Sequence, residues 1–575
     1  MNLWTKFNLL QGVIRWRLRW AKRNTAYRFT VPGNPKFMGP MDAVGLIKDG
    51  DMIAISGLGG NQHATIMYWA ILERFLETGG PRDLTILSIG GQGGRGKVPG
   101  TIDELGIEGL CSRFISGHME TFKKMLTLAE DGKLELQCLP QGTLALLIDA
   151  QARGEDSVLV PTGVGTFMDP TVDRGTPLAG ENAEQWAERE GDLIRYRMPK
   201  INVSIFNAPA ADREGNIYMR KTSMIAEIPE MTRAARRNDG IVIANVGEIV
   251  EKDESKIFVH ADQIDAVVQY PNTGQTMARP YRKHWSLITL DSDIPLLEGY
   301  EQMLYMNRVL GVTPRRTEVD RALARLAATV FVENTWEGVL VNIGTGLPEE
   351  VCRQLTESGI NKHITFFTES GVVGGLPGPG IFFGAAACPE EMVSSAEIFK
   401  RAHRELDVTM LGILQVDSDG NVNVSKRGEG PLNYVGPGGF IDFSTSAKVV
   451  LFVGSWMAHS KMEIQNGEMR ILEHGAPKFV DAVDEITFSG KQALQDGRKI
   501  FYVTPVGVFR LTGRGVELVK VMPGIDVQKD ILDFAQAKIV LPESGEVEVV
   551  ATSIVTGVGF DLSVPSAPVP EPATS

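Results

Sequence analysis

A single acidic residue stands at the end of an apolar segment in HITFFTESGVVGGLPGPGIFFGAA, residues 363–386. Ile364 to Phe367 have the apolar character of a buried β-strand, and Glu369 follows them at the start of a loop rich in glycine and proline. An acid in such a place is most often a helix cap or a solvated loop charge. The glycines favour another interpretation, because a loop without side chains lets a substrate approach the backbone. A functional role for Glu369 is therefore open.

Two further stretches carry groups that can stabilise negative charge. In YVGPGGFIDF, Gly436, Gly438 and Gly439 lead into an apolar segment, so their N–H groups can form an anion-binding nest or half of an oxyanion hole. A simple tight turn explains these glycines equally well. In LPQGTL, Gln141 stands on a Pro-Gly turn, where a side-chain amide more often lies at the surface than in a catalytic site.

The sequence lacks the common nucleotide-binding and metal-binding patterns. SGLGGNQ, residues 56–62, has Gln62 where the third glycine of a dinucleotide-binding fingerprint belongs, and no G-x-x-x-x-G-K-[ST] occurs. The four cysteines are far apart and include no C-x-x-C, so neither a disulfide framework nor a zinc site is expected. We predict no bound metal and no permanently bound cofactor.

The elements that must position these residues alternate between short β-branched strands, glycine turns and amphipathic helices, which indicates an α/β fold. Four segments of the first half have counterparts, in the same order, in the second half. They are DMIAISGLGG with GVLVNIGTG, LTILSIGGQGG with ITFFTESGVVGG, ADREGNIYM with VDSDGNVNV, and GIVIANVGEIV with AKVVLFVGSWM. The sequence therefore predicts two related open α/β domains, internally duplicated, in one chain.

The predicted divisions of the chain are a basic extension, two domains and a disordered proline-rich tail, over residues 1–40, 41–305, 306–560 and 561–575. Thr313 and Pro314 are the start signals of a helix that opens the second domain. Gln141 falls in the first domain, whereas Glu369 and Gly439 fall in the second.

The N-terminal extension has apolar residues at helical spacing and no acidic residue before Asp42. We expect a basic amphipathic helix whose apolar positions are Leu3, Phe7, Leu10, Ile14 and Leu18. Such a helix can lie on an anionic membrane surface, or it can dock on its own domain or on a neighbouring subunit. A peripheral membrane or partner contact through residues 1–30 is therefore open.

Composition limits the partners of the protein. The 575 residues include 71 acidic and 58 basic side chains, a net charge of -13, so we expect no nucleic acid partner. No run of 18 or more apolar residues occurs, and the N-terminus lacks a secretory signal pattern. The predicted location is the cytoplasm.

Taken together, these motifs resemble the class I coenzyme A transferases of the acetoacetate, propionate and short-chain acyl type, with α and β subunits fused, over roughly Asp42 to Leu532. The most specific stretch is TESGVVGGLPGPGIFFGAA, which is similar to the family's glutamate-glycine motif and implies Glu369 as the nucleophile. GPGG is similar to the family's G-x-G-G loop and implies Gly439 as a backbone oxyanion donor. PQGT implies Gln141 as the opposing side-chain donor. Further agreement comes from GGQGGRGK, ISGHM and PTGVGTFMDP.

The resemblance implies a ping-pong transfer of coenzyme A from an acyl-CoA to a free carboxylic acid through a glutamyl-CoA thioester on Glu369. The acyl-CoA and the acid are then the substrates, in ketone body or short-chain fatty acid metabolism, and a homo-oligomer is expected. We expect the pantetheine arm of CoA to lie along glycine loops, at Gly374, Gly375, Gly436 and Gly438.

Two alternatives and one departure accompany this expectation. Water can resolve the same thioester, which gives an acyl-CoA hydrolase, and the same fold also serves non-catalytic ligand sensors. Downstream of the nucleophile loop, where fused members tend to have small residues, the chain has IFKRAHRELDVTML. Its basic residues Lys400, Arg401, His403 and Arg404 either narrow the pocket, or supply cations for a dicarboxylate, or form a solvated helix face.

Overall fold

The computed structural model describes residues 1–20, 23–94 and 98–563 of the chain. Most of the predicted tail, residues 564–575, lies outside this description. The α-helices of the described residues are α1 (Leu3–Trp20), α2 (Pro40–Val44), α3 (Thr65–Thr78), α4 (Lys123–Glu130), α5 (Gln141–Arg153), α6 (Ile228–Arg237), α7 (Leu296–Leu310), α8 (Glu318–Glu333), α9 (Leu347–Glu357), α10 (Ser395–Glu405), α11 (Phe440–Ser446), α12 (Gly490–Gln495) and α13 (Thr552–Thr556).

The β-strands of the same residues are short, and most are buried. They are β1 (Met52–Ile55), β2 (Leu84–Ser88), β3 (Cys111–Ser116), β4 (Glu135–Cys138), β5 (Ser157–Val160), β6 (Pro177–Ala179), β7 (Ala187–Glu190), β8 (Leu193–Arg197), β9 (Val203–Ala211), β10 (Ile217–Tyr218), β11 (Ile241–Ile249), β12 (Ala266–Gln269), β13 (Gly274–Thr276), β14 (Arg279–Pro280), β15 (Leu340–Ile343), β16 (Thr365–Phe367), β17 (Val372–Val373), β18 (Leu376–Pro377), β19 (Ala386–Ala387), β20 (Glu391–Met392), β21 (Val408–Leu411), β22 (Gln415–Val416), β23 (Val422–Asn423), β24 (Val449–Val453), β25 (Met457–Ala458), β26 (Lys461–Gln465), β27 (Glu468–Glu473), β28 (Ala476–Pro477), β29 (Lys499–Thr504), β30 (Gly507–Thr512), β31 (Gly515–Val521), β32 (Ile539–Val540) and β33 (Glu548–Val549).

The chain forms two compact units that are not simply its first and second halves. The first unit contains Met1–Thr313 together with Thr368–Lys400 and Ser425–Asp442. The second contains Pro314–Phe367, Arg401–Val424 and the chain from Phe443 onward. Two segments from the second half of the sequence, with Glu369 in one and Gly439 in the other, therefore belong to the same unit as Gln141.

The first unit is built on a sheet in the order β12-β11-β9-β1-β2-β3-β4-β6, with β10 paired to β9. All neighbours from β12 to β4 are parallel, and β6 and β10 are antiparallel edges. Every residue of β1, β2 and β9 is buried. Such continuous burial is expected of parallel strands that are covered on both faces.

The second unit has a sheet in the order β16-β15-β21-β24-β29-β30-β31-β32, with β33 paired to β31. It is parallel from β16 to β29, and β29, β30 and β31 form an antiparallel meander. The parallel order β24-β21-β15-β16 repeats the order β11-β9-β1-β2 of the first unit. The predicted fold class, two related α/β units in one chain, is confirmed.

The repeated acidic turns show the same relationship at single residues. Asp212 Oδ1 accepts hydrogen bonds from the backbone N–H groups of Gly215 and Asn216, at 3.0 and 3.1 Å. Asp417 Oδ1 accepts them from Asp419 and Asn421, at 3.1 and 2.9 Å. In both turns an aspartate replaces missing backbone partners, which explains why ADREGN and VDSDGN match.

The helix that follows residue 313 begins later than the sequence indicates. Thr317, rather than Thr313 or Pro314, is the N-cap of α8, and its side chain accepts a hydrogen bond from the N–H of Asp320. The Asp320 side chain in turn accepts from the N–H of Thr317, at 2.7 Å. This reciprocal capping box fixes the start of α8 at Thr317, whereas a threonine-proline pair is only compatible with a helix start.

The N-terminal segment forms helix α1, but its predicted apolar stripe faces solvent. Leu3 and Leu18 are 84% and 69% exposed, whereas Leu9 and Val13 on another face are buried. The helix is therefore packed through residues outside the stripe. Among the described residues, no helix is long and apolar enough to cross a membrane.

Candidate active site

Glu369 lies in a tight turn directly after β16. The Thr368 N–H donates to Val372 O at 2.9 Å, and the Gly371 N–H donates to Thr368 O at 3.1 Å. On either side of the acid, the hydroxyls of Thr368 and Ser370 both donate to Gly384 O. Gly371 has a φ of +87°, and a Cβ there would lie 2.0 Å from Val393 O. Only glycine fits at this position, so the glycine after the acid has a steric reason.

The Glu369 carboxyl is buried and has no neighbour to share its charge. The residue is 6% exposed, and burial raises the pKa of its carboxyl from 4.5 to about 7. Two other buried carboxyls with a pKa of about 7 are engaged: Asp442 accepts from two backbone N–H groups, and Glu227 accepts from the Ser395 hydroxyl. Apart from its own N–H, no described group donates to Glu369. Its lone pairs are therefore available for reaction.

Gln141 is the first residue of α5, and the GPGG turn holds it from outside the helix. Its N–H donates to Gly438 O at 2.8 Å, and the Gly438 N–H donates to Gly117 O at 2.7 Å. The side chain is 2% exposed, and its Nε2 has no hydrogen-bond partner among the described residues. A buried amide donor without a partner is costly, and a ligand oxygen would satisfy it.

The GPGG turn needs glycine for two separate reasons. Gly436 and Gly438 have φ values of +81° and +54°, in the left-handed region that glycine adopts without strain. A Cβ on Gly436 would also lie 2.6 Å from Gly117 O. Gly439, the last residue before α11, is buried. Its N–H donates to no backbone carbonyl among the described residues.

Asp442 is a site residue that the sequence analysis did not single out, although it lies in the quoted segment YVGPGGFIDF. It is fully buried and accepts hydrogen bonds from the N–H groups of Gly142 and Thr143, at 2.9 and 3.1 Å. These N–H groups belong to the first turn of α5 and have no partner within the helix. A buried acid inside an otherwise apolar stretch was the available signal. Asp442 thus fixes the GPGG turn to the helix that carries Gln141.

Leu58 lies next to Gly90 and Gly384. A Cβ on Gly90 would lie 2.0 Å from the Leu58 side chain and 3.5 Å from the Gln141 amide. A Cβ on Gly384 would lie 2.7 Å from the same leucine. Leu58 therefore packs against Gly384, whose carbonyl oxygen anchors the residues on both sides of Glu369.

Gly374 and Gly375 have contacts of a different kind from Gly436 and Gly438. Both have positive φ, and a Cβ on either would collide with the returning strand, at Glu390 or at Ala387 O. Their contacts within 4 Å are therefore made inside their own hairpin. The structure brings Gln141 and the GPGG turn together, through the hydrogen bond from Gln141 N–H to Gly438 O.

The basic segment after the nucleophile loop forms α10, and its first cation is already matched. Lys400 Nζ lies 2.7 Å from Asp149 Oδ2, and burial lowers the pKa of Lys400. Within the described residues, no group of three or more His, Cys, Asp or Glu side chains is arranged to hold a metal ion.

Known proteins with similar sequences identify the family of this chain. The Coenzyme A transferase family model matches residues 38–268. The caffeate CoA-transferase of Acetobacterium woodii is 31% identical over 508 residues, which are 87% of this chain and 93% of that protein. The acetate CoA-transferase YdiF of Escherichia coli O157:H7 is 29% identical, over 88% of this chain and 92% of that protein.

Solved structures support the same relationship. The crystal structure of the acyl-CoA transferase YdiF apoenzyme from Escherichia coli O157:H7 has a TM-score of 0.82 and 26% sequence identity, and it covers 94% of this chain and 99% of that one. A second crystal structure of that protein is a thioester complex with CoA; its TM-score is 0.80, with 26% identity, and it covers 92% of this chain and 97% of that one. The chain belongs to the class I coenzyme A transferase family, and it is a CoA-transferase.

Proposed function

We propose that the protein transfers coenzyme A from an acyl-CoA to a free carboxylic acid by a ping-pong mechanism, with Glu369 as the nucleophile. The observation that carries this proposal is the buried Glu369 carboxyl, which no neighbouring described group engages. A carboxylate with few hydrogen bonds keeps its lone pairs for attack, and a thioester is activated enough to react with it. The CoA thioester complex of YdiF supports the same type of intermediate.

In the first half-reaction, a Glu369 carboxylate oxygen attacks the thioester carbonyl carbon, the C–S bond breaks, and CoA leaves as a thiolate. The product is a mixed anhydride between Glu369 and the acyl group. The thiolate then attacks the glutamyl carbonyl carbon and releases the first carboxylate, which leaves a glutamyl-CoA thioester. A second carboxylate repeats these steps in reverse and departs as the new acyl-CoA. The acceptor acid is ionised near neutral pH, and Glu369, whose pKa is about 7, is partly ionised there, so this cycle requires no general base.

Each step passes through a tetrahedral oxyanion, for which the chain offers two donors. We assign these roles to the Gln141 side-chain amide and the Gly439 N–H. The Gln141 N–H donates a hydrogen bond to Gly438 O at 2.8 Å, and this bond keeps Gln141 close to Gly439, the next residue after Gly438. One donor of this kind is worth about 3–4 kcal/mol of barrier.

The remaining roles rest on the family resemblance. We propose that the pantetheine arm runs along Gly374, Gly375, Gly436 and Gly438. No permanently bound cofactor is part of this proposal. The division into domains at residues 305 and 306, a homo-oligomeric assembly and a cytoplasmic location also stay predictions.

The test of the mechanism is covalent capture. The protein is incubated with acetyl-CoA and digested, and we expect a mass increase of CoA on the peptide that contains Glu369. Glu369→Gln should lose the adduct and nearly all transfer, after deamidation has been excluded by intact mass. Glu227→Gln is the matched control, because Glu227 is equally buried but is bound by Ser395. Undiminished transfer by Glu369→Gln would disprove the assignment.

A panel of acceptors identifies the acid and separates transfer from hydrolysis. Acetate and caffeate, the acids in the names of two relatives, are compared with other short-chain and aromatic acids. A transferase forms a new acyl-CoA in proportion to the acceptor. Release of free thiol at the same rate without any acceptor would instead identify a hydrolase.

A further inference from the structure

A cavity of about 330 Å³ lies in the first unit between α1 and the segment around β13 and β14. None of Glu369, Gln141 and Gly439 lines it. Its volume is within the range of small-molecule sites. Helix α1 comes close to the opposite wall at Gly12, where a Cβ would lie 3.6 Å from Ala278 O and 3.9 Å from the Arg279 guanidinium. The N-terminal helix therefore forms one wall of a partly open cavity.

The charge of this cavity is uniformly positive. Its lining includes Arg15, Arg279 and Lys283, and no aspartate or glutamate from the described residues. None of these cations forms an ion pair or hydrogen bond with any described side chain. Arg279 is half-buried, its Nε has no partner, and its guanidinium stacks over Trp285 at 5.4 Å. A partly desolvated guanidinium without a counter-charge is unfavourable, so Arg279 favours the binding of an anion in this cavity.

One buried acceptor in the lining also lacks a partner. Asn245 uses its amide N–H₂ on Val268 O and Thr273 Oγ1, both at 3.0 Å, and its Oδ1 accepts no hydrogen bond from the described residues. Asn245 is only 1% exposed. A ligand with a hydroxyl group would satisfy this acceptor.

The rest of the lining is mixed: it has the aromatic and apolar side chains Trp16, Trp69, Tyr270 and Met277 beside polar ones such as Gln11 and Thr65. The aromatic part of the wall favours an apolar, ring-sized ligand body. We propose that this cavity binds a hydroxylated organic acid with an apolar body, whose carboxylate contacts Arg15 and Arg279 and whose hydroxyl group reaches Asn245. The site is separate from the residues assigned to the transfer reaction and does not rest on their roles.

The test measures binding by isothermal titration calorimetry in the absence of any acyl-CoA, so that no turnover occurs. The ligands are 4-hydroxyphenylacetate, phenylacetate, which lacks the hydroxyl, and 4-hydroxyphenylacetamide, which lacks the charge. We expect 4-hydroxyphenylacetate to bind at least tenfold more tightly than the amide and several-fold more tightly than phenylacetate.

Variants locate the site on the chain. Arg279→Met and Arg15→Gln should each weaken binding of the carboxylate about tenfold and leave binding of the amide unchanged, which also shows that the cavity is still folded. Arg17→Gln is the matched control, because Arg17 is exposed on the same helix but does not line the cavity. Equal affinity for acid and amide, no binding by either, or full carboxylate affinity in both Arg279→Met and Arg15→Gln would overturn the proposal.

Discussion

The Glu369 carboxyl is buried and yet accepts no hydrogen bond from a neighbouring described group. This combination is unusual, because a buried carboxyl is normally hydrogen-bonded. Its neighbours Thr368 and Ser370 give their hydroxyl hydrogens to Gly384 O and not to the acid. The turn is therefore held rigidly while the reactive group stays unengaged. The cost of this arrangement is the raised pKa, which leads to two predictions at the level of this residue.

The activity should fall as the pH is lowered, because a carboxylate nucleophile must be ionised to react. Because the pKa of Glu369 is about 7, lowering the pH below 7 protonates the acid and removes its nucleophilic lone pair. We expect kcat/KM for the acyl-CoA to fall about tenfold per pH unit below that value. Initial rates between pH 5.5 and 8.5 measure this, and Glu227→Gln should show the same profile. A profile that is flat across this range would contradict a free Glu369 with a raised pKa.

The free energy of unfolding should change with pH in the opposite direction to activity: it should fall as the pH rises. The folded pKa of about 7 exceeds the ordinary value of 4.5, so the fold holds the proton more tightly than the unfolded chain does. Stability is then lost as the pH rises from 4.5 to 7, by roughly 3 kcal/mol at 1.36 kcal/mol per pKa unit. Glu369→Gln carries no charge and should be more stable than the parent at pH 8 but not at pH 4.5. Urea unfolding at both pH values measures the difference; a variant less stable than the parent at pH 8 would refute it.

At the scale of elements, the site depends on how the N-terminus of α5 meets the GPGG turn before α11. Asp442 supplies both acceptors for the N–H groups of Gly142 and Thr143, and Gln141 N–H binds Gly438 O. Gly142 admits this contact, since a Cβ there would lie 2.6 Å from the Asp442 carboxylate. Backbone contacts at the start of α5 thus hold Gln141 beside the GPGG turn.

Replacing Asp442 should damage catalysis more than binding. Asp442→Asn keeps the shape but presents an N–H₂ group to one of the two backbone donors, so the start of α5 should shift. We expect kcat to fall about 10- to 100-fold with little change in KM for the acyl-CoA, because the oxyanion exists only in the transition state.

Asp212→Asn is the control for Asp442→Asn, since Asp212 is equally buried and also caps backbone N–H groups, in a different turn. Asp212→Asn should lower the free energy of unfolding but should not lower kcat selectively over KM. Equal kinetic effects of the two variants would make Asp442 a general structural residue.

Two glycines with the same φ separate backbone strain from collision. Gly371 and Gly338 both have a φ of +87°, but a Cβ on Gly371 would lie 2.0 Å from Val393 O, and one on Gly338 would meet nothing within 4 Å. Gly338→Ala should cost about 1 kcal/mol from strain alone. Gly371→Ala should cost several kcal/mol and also displace Glu369. Urea unfolding and transfer rates measure both; equal losses of stability would contradict the role of the collision.

At the scale of the whole molecule, each unit repeats one parallel order of four strands, and the second unit also gathers residues from far along the chain. Arg325 in α8 is buried and donates from Nε to Ile554 O at 2.6 Å and from Nη2 to Val555 O at 2.7 Å. These carbonyls belong to α13, so one guanidinium ties the last described helix to the first helix of this unit.

Arg325→Met should release α13 while the central sheet stays folded. Losing charged hydrogen bonds to two carbonyls costs about 1–3 kcal/mol each. We expect faster amide hydrogen exchange over residues 552–562 and unchanged protection of β24. Arg321→Met, which changes an exposed arginine one turn earlier, should show neither effect. Unchanged exchange at α13 in Arg325→Met would rule out the tie.

The sequence by itself determined features that depend on neighbouring residues: the α/β class, the duplicated strands, the turn after β16 and the residue types at Glu369, Gln141 and GPGG. Strand and helix periodicity and glycine turns are local, so they can be predicted from short segments. The tertiary structure decided that Asp442 caps the helix of Gln141, about 300 residues earlier in the chain. It also decided that the stripe of α1 faces solvent and that Arg15 and Arg279, far apart in the sequence, line the same cavity. Contacts between distant segments depend on how the elements pack, and no local pattern specifies that.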